Sequence, residues 1–255
     1  MIDDNYSHGF FIPVISAFLI WQDRQKLKST LMRPANTGLI FVICGLALFL
    51  VAYLGAELFI QRFSMILVIW GTIVFLFGFG IGKVVLLPVA YLTFMIPLPA
   101  ILWYKIAFPL KLFATKMAVA LIQLLNIPVY REGNIIHLTN NTLQVVDACS
   151  GMRSLASLLA ISAAFALITN HGKLKKWLLF LFAIPIAIFA NIMRLTATAA
   201  LSQKYGPKVA QGFLHEFSGI LVFAFAIVLL YVTHLLLKNF HFSEKRAGQR
   251  REGLD

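Results

Sequence analysis

Long, uninterrupted runs of apolar residues separated by short polar segments make up most of this chain. The runs lack the ten-residue alternation that is typical of transmembrane barrel strands. A membrane-crossing helix needs about 20 mostly apolar residues, and in lipid only helices and closed barrels satisfy every backbone polar group. The pattern therefore predicts an all-α integral membrane protein of about seven transmembrane helices, with eight as the alternative count. The seven lie at residues 10–21, 37–56, 63–82, 84–104, 150–169, 177–202 and 212–237.

Three segments depart from simple spans. Residues 105–127 are apolar but carry three lysines, which favours an amphipathic helix lying in the membrane interface over a crossing helix. Residues 128–147 are polar and predict a short extracytoplasmic loop segment with small strands around a Thr-Asn-Asn turn. The fourth run, residues 84–104, contains three prolines, so we expect it to be kinked or broken.

Composition and charge support a membrane protein. Hydrophobic residues make up 60% of the chain and charged residues 13%, whereas a soluble domain has about 45–50% and about 25%. The net charge of +12 is what we expect of a membrane protein whose cytoplasmic loops are rich in Lys and Arg. We expect no nucleic-acid partner, because there is no basic soluble domain to bind one. Two cysteines are too few for a disulfide framework.

The distribution of basic residues predicts the sidedness. The loop 22–36, a turn at Lys83, the loop 171–176 and the tail from Lys238 hold 13 of the 22 lysines and arginines. The positive-inside rule places these segments in the cytoplasm and the N-terminus outside, provided that residues 105–127 do not cross. The domain organisation that follows is one polytopic membrane domain at 1–237 and a basic cytoplasmic tail at 238–255.

This topology brings three chemically capable residues to one depth at the outer face. Cys149 opens the fifth span from outside, Arg194 lies late in the outward-running sixth span, and His215 begins the seventh from outside. A helix N-terminus favours the thiolate, which is the nucleophilic form of cysteine. An arginine inside a span is costly unless it meets a polar partner, and histidine carries protons near neutral pH. We expect these three residues to be catalytic.

Plainer interpretations of the same residues stay open. Cys149 would otherwise be a small buried residue of a span, and Arg194 would reach to the outer interface with its long side chain. Six further residues are candidates to assist Cys149, Arg194 and His215. One of them is a second histidine on the outer side. The supporting set is Arg153, Asn191, Ser150, Gly151, His8 and Glu216.

Metal and cofactor binding are not expected. Zinc sites use several Cys, His or carboxylate ligands at recognisable spacings, and the sequence has no CxxC or HExxH pattern and no His-rich tract. The sequence therefore predicts a site built from protein side chains alone.

The chain resembles the exosortase/archaeosortase family through an ordered set of segments. These are "NYSHGFFIPVISAFLIW", "IPLP", "IPVYREGNIIHL", "DACSGMRSL", "NIMRLTATA" and "HEFSG", which span nearly the whole chain. Any one of them is a weak signal, whereas their order and spacing in a multi-span protein are specific.

The resemblance implies a membrane cysteine protease or transpeptidase. The family's proposed catalytic Cys, Arg and His match Cys149, Arg194 and His215. The implied partners are membrane lipid and exported proteins with a C-terminal tripartite signal: a short motif such as Pro-Glu-Pro, a membrane helix and a basic end. Cleavage would occur at the outer face of the inner membrane.

Three other functions compete with this interpretation. In a transporter, Arg194 and the broken fourth span would line a pathway. In a non-catalytic assembly protein, the outer segment 128–147 would bind a partner. A thiol–disulfide enzyme would need a second cysteine near Cys149, and Cys44 falls in the middle of the second span.

Overall fold

The structure is a bundle of long helices with a small sheet at one end. The computed structural model describes residues 9–139, 141–145, 151–169, 172–206 and 213–239, with side chains of the last segment described from residue 219. Five described helices are long and apolar enough to cross a membrane, and two further apolar helices are shorter. The elements are α1 (Phe11–Gln22), α2 (Arg24–Ser29), α3 (Thr37–Leu54), α4 (Leu58–Tyr91) with a 3-10 extension (Leu92–Met95), α5 (Ala100–Leu124), β1 (Val129–Glu132), β2 (Ile135–Leu138), β3 (Thr142–Gln144), α6 (Met152–Ile168), α7 (Lys173–Tyr205) and α8 (Phe213–Asn239).

The all-α membrane class predicted from the sequence is confirmed. The apolar runs at 37–56, 150–169, 177–202 and 212–237 correspond to α3, α6, α7 and α8, and the run at 10–21 corresponds to α1. The basic tail from residue 240 onward lies outside the described residues.

The chain reverses direction inside α4 at Gly78, which has φ 88° and ψ 171°. Trp70 Nε1 donates a hydrogen bond of 2.9 Å to the carbonyl of Gly82, twelve residues later. In a straight helix those residues are about 18 Å apart along the axis. A Cβ at position 78 would also collide with the Arg33 carbonyl oxygen. The two arms of α4, residues 58–77 and 79–91, therefore form a hairpin that requires glycine at its turn.

The fourth apolar run is broken near its prolines, as predicted, but the predicted boundaries of the third and fourth spans were wrong. The turn expected at Lys83 lies at Gly78, and the second arm ends at Tyr91 instead of continuing to residue 104. Residues 96–99 are Ile-Pro-Leu-Pro, and the backbones of Ile96 and Pro99 are extended (ψ 120° and 138°). A residue before proline disfavours the helical region, and proline has no N–H to donate. The prolines therefore end one helix and let α5 begin at Ala100.

The segment at 105–127, which the sequence favoured as an interfacial helix, is helical as far as Leu124. It forms most of α5 (Ala100–Leu124), whose 25 residues run alongside α7 and are long and apolar enough to cross a membrane. The interfacial interpretation stays a prediction. The buried face of α5 consists of Trp103 and smaller residues such as Ala114 and Ala118, whereas Lys105 and Lys116 are exposed on the opposite face. The lysines mark the outward face of a bundle helix, and the small residues opposite them allow close packing.

Residues 129–144 form the predicted strands. The sheet is antiparallel in the order β1-β2-β3, with reversals after Glu132 and Leu138. Its apolar side packs on α5 and α7 in one buried cluster that contains Ile122, Ile136 and Leu195. Asn141 Nδ2 adds a hydrogen bond of 2.7 Å to Ser202 Oγ near the end of α7.

The opposite end of the bundle collects the basic segments. Gln22, at the end of α1, donates a hydrogen bond to the carbonyl of Ile168 at the end of α6 (3.2 Å). Arg33 N donates to the Phe77 carbonyl beside the reversal of α4 (3.2 Å). The loop after α1, the α4 reversal and the lysine-rich start of α7 therefore lie at one end. The 33 residues of α7 extend about 50 Å from there towards the sheet.

Candidate active site

Gly151 directly precedes α6 and has a conformation that favours glycine. Its φ of 83° and ψ of −4° lie in the left-handed region, and it is buried. The Gly151 carbonyl accepts the first helical hydrogen bond from Leu155 N (2.8 Å) and a second from Ser154 Oγ (2.9 Å). Gly151, two residues after Cys149 in the sequence, thereby fixes the start of the helix.

Gly151 also lies directly against Asn191 in the middle of α7. A Cβ at position 151 would be 2.9 Å from both Cγ and Nδ2 of Asn191, closer than real Cβ contacts allow. Glycine is therefore required twice, for its backbone conformation and for this approach. The contact joins the segment that carries the cysteine to the segment that carries the arginine.

Arg194 fixes the orientation of the Asn191 side chain. Its Nη2 donates a hydrogen bond of 2.7 Å to Asn191 Oδ1, one turn earlier on α7. Asn191 is 3% exposed and Arg194 is half-buried. The amide oxygen accepts from the guanidinium, and Nδ2, the donor end of the amide, is one of the two Asn191 atoms nearest to Gly151. The arginine thus holds an amide donor against the start of α6.

A small pocket opens beside this contact where α5, α6 and α7 converge. Asn191 and Gly151 supply its polar side, and the rest of the lining is apolar. The apolar lining residues are Leu110, Ala114, Leu155, Ala187 and Ile188. Sequence reasoning missed these five, since an apolar residue facing a pocket has the same pattern as one facing a helix neighbour or lipid.

The structure brings together three of the sequence-predicted residues, Gly151, Asn191 and Arg194. Arg153 lies exposed in the first turn of α6, and its carbonyl accepts a hydrogen bond from Ser157 Oγ (3.0 Å).

The remaining predicted residues are only partly covered by the structure. Cys149, Ser150 and His8 lie outside the described residues. His215 and Glu216 belong to the first turn of α8, where the helix is described but the side chains are not.

The first turn of α8 lies at the same end of the bundle as Gly151. The rings of Phe165 in α6 and His234 in α8 are 4.7 Å apart, and both helices run from the sheet end to the basic end. Position 151 is 14 residues before Phe165, about 21 Å along α6, and position 215 is 19 residues before His234, about 28 Å along α8. The backbone at 215 is therefore within about two helical turns of the level of Gly151.

Together, the helices and the polar contact between α6 and α7 define a multi-pass membrane protein with a buried polar site towards one end of its bundle. A family model described as Transmembrane exosortase matches residues 1–232, and the chain belongs to that family.

A curated relative supports this membership. The chain is 30% identical to the "Probable archaeosortase E" of Methanocaldococcus jannaschii over 114 residues. The match covers 44% of this chain and 58% of that protein, so the chain spans less than two thirds of the relative's length. No solved structure matches the chain.

Proposed function

We propose that this protein is a membrane cysteine peptidase or transpeptidase that cleaves C-terminal sorting signals of exported proteins at the outer face of the inner membrane. The observation that carries the proposal is the contact of Gly151 with the Arg194-bound side chain of Asn191. It joins two distant motifs, "DACSGMRSL" and "NIMRLTATA", in a chain of the exosortase family.

The proposed reaction proceeds through an acyl-enzyme. The Cys149 thiolate attacks the scissile carbonyl carbon, and the carbonyl electrons pass to oxygen to give a tetrahedral oxyanion. The C–N bond then breaks, and His215 gives a proton to the leaving amine. Water or an acceptor amine attacks the thioester, releases the N-terminal product and regenerates the thiol. Hydrolysis and transpeptidation differ only in this last nucleophile.

Asn191 and Arg194 would stabilise the developing negative charge. A buried amide donor that is held in place beside the oxyanion would stabilise it without reorganising, which makes such a donor more effective than one in water. Arg194 keeps that amide oriented and adds its positive charge one turn away. Glu216 and His8 would orient or replace the proton carrier, with Ser150 and Arg153 beside the nucleophile.

The distribution of charge supports an outward-facing site. The basic loop after α1 and the lysines at the start of α7 lie at the end of the bundle opposite the sheet. Under the positive-inside rule that end is cytoplasmic, as is the basic tail at 238–255. A substrate helix lying beside the bundle, with its own basic end in the cytoplasm, then carries its short motif to the level of Asn191.

The test is cleavage of a co-expressed reporter with a Pro-Glu-Pro motif, a membrane helix and a basic C-terminus, followed as a mass shift. Cys149→Ala should abolish cleavage with normal expression and insertion, whereas Cys44→Ala, which removes the exposed thiol of α3, should cleave as wild type. Unchanged cleavage in Cys149→Ala would remove the cysteine mechanism. Cleavage by neither wild type nor variant would contradict this substrate class.

A further inference from the structure

The outer edge of β3 presents backbone groups that β2 does not use. In an antiparallel pair, consecutive residues direct their N–H and C=O groups to alternate sides. Val145 N donates to the Asn134 carbonyl at 2.9 Å, which fixes the side of the strand that faces β2. Gln144, one residue earlier, therefore directs its N–H and C=O to the opposite side, and so does Thr142.

This edge is accessible in the described part of the chain. Thr142 and Gln144 are exposed, whereas Val145 is buried against α5 and α7. Thr142 N–H already donates to Asn141 Oδ1 (2.8 Å). The backbone groups that remain for a partner are the N–H of Gln144 and the carbonyls of Thr142 and Gln144. Such groups allow another strand to pair with this edge.

The edge leads towards the proposed site. Asn141, at the start of β3, is bonded to Ser202 near the end of α7. Ten residues later the chain reaches Gly151, which lies against Asn191, about 16 Å back along the same helix. The strand is thus fixed to α7 beyond the site, and Cys149 is the fifth residue after Gln144 in the sequence.

We propose that the outer edge of β3 binds the extended peptide segment just N-terminal to the scissile bond, as an added strand. This inference rests on the proposed function and names the surface that positions the substrate. Backbone pairing gives affinity that is independent of the peptide's side chains. The pairing is parallel, because the substrate chain and β3 both run from the sheet end of the bundle towards Asn191.

The dimensions of the edge fit a membrane-anchored peptide better than a second copy of the chain. β3 has three residues, so pairing through it alone buries far less surface than the ~1,200 Å² of a stable protein interface. A substrate whose helix already lies in the same membrane is present at high effective concentration, so a few hydrogen bonds suffice to align it.

The first test compares proline and alanine at one position of this edge. Gln144→Pro removes the outward N–H, and an edge strand tolerates proline. Gln144→Ala keeps the N–H, and Arg131→Pro places a proline on β1 at the opposite edge of the sheet. We expect Gln144→Pro to lower reporter cleavage about tenfold, as expected for one lost hydrogen bond with an unpaired partner, and both controls to stay within about twofold of wild type. Wild-type cleavage by Gln144→Pro would overturn the inference while leaving the proposed function intact.

The second test measures binding without catalysis. In full-length protein with Cys44→Ala and Cys149→Ala, Gln144→Cys should form a disulfide with single cysteines introduced at alternate positions before the reporter's motif. Arg131→Cys in the same background should not. Cross-linking without wild-type cleavage would support the edge and contradict the proposed reaction. Absence of any cross-link to Gln144→Cys would overturn the edge, whether or not the wild type cleaves.

Discussion

Arg194 Nη2 lies 2.7 Å from Asn191 Oδ1, and this hydrogen bond turns the amide nitrogen of Asn191 towards Gly151. In the proposed mechanism, Arg194 would therefore act through the side chain of Asn191. At this helix–helix contact the long, charged side chain of Arg194 orients the shorter, neutral side chain of Asn191, which is 3% exposed.

Truncating Asn191 should impair cleavage more than it impairs folding. We expect Asn191→Ala and Asn191→Asp each to lower reporter cleavage about 100-fold, because both remove the amide donor, and one oxyanion donor is worth about 10²–10³ in rate. Initial cleavage rates in membranes measure the effect at matched protein levels. The control is Thr198→Ala, a half-buried polar residue on the same helix, which should retain nearly full activity. Normal activity in Asn191→Asp would exclude the amide as donor.

Arg194 and Asn191 should behave as one unit. Arg194→Met leaves the amide free to rotate, so we expect a loss of about 100-fold in cleavage, and adding Asn191→Ala should cost little more. Arg194→Lys should recover part of the activity, because an ammonium can still donate one hydrogen bond to the amide oxygen. A double-mutant cycle on cleavage rates measures the coupling. Additive losses would show that the two residues act separately.

Alanine at position 151 should be destabilising beyond its backbone strain. Gly151→Ala combines a left-handed backbone with a 2.9 Å approach to Asn191, and we expect a cost of about 2–4 kcal/mol in unfolding free energy. Gly133→Ala is the matched control, because Gly133 has φ 58° but nothing within 4 Å of the added Cβ. It should cost about 1–2 kcal/mol. Thermal unfolding in detergent compares the two, and equal costs would contradict the tight contact.

The hairpin of α4 should fail when its turn residue gains a side chain. Gly78→Ala would push a methyl group into the Arg33 carbonyl at a φ that L-residues avoid, so we expect little folded protein. Gly219→Ala, a glycine of α8 with open space around its Cβ, should express normally. Protease sensitivity of the membrane fraction reports the difference, and a protected Gly78→Ala protein would argue against the reversal.

The sequence was most informative where one apolar run makes one helix. The runs behind α3 and α7 are bounded by polar or basic residues, so their ends were predicted to within about four residues. The helix ends between α4 and α5 were not predicted correctly, because the turn within α4 depends on Gly78 fitting against the Arg33 carbonyl. That approach is a tertiary contact without a local sequence signal.

The candidate site shows the same division. The motifs pointed to Gly151, Asn191 and Arg194, and the structure adds their contacts and the orientation of the amide. The lining residues Ala114 and Ala187 come from two other parts of the bundle, and nothing in their apolar surroundings distinguishes them from ordinary packing positions. The roles of Cys149 and His215 stay predictions.

The length of α7 determines the height of Asn191 along the bundle axis. Asn191 is 18 residues from Lys173, about 27 Å along the axis, which is close to the ~30 Å thickness of a bilayer's hydrocarbon core. In the proposed topology, a helix that starts at the cytoplasmic membrane surface would fix the height of the proposed site near the opposite surface. For a substrate anchored by its own helix, the number of residues between that helix and the scissile bond would then have to match the height of the site to within one or two residues. A longer spacer would carry the scissile bond past the nucleophile, whatever the sequence of the motif.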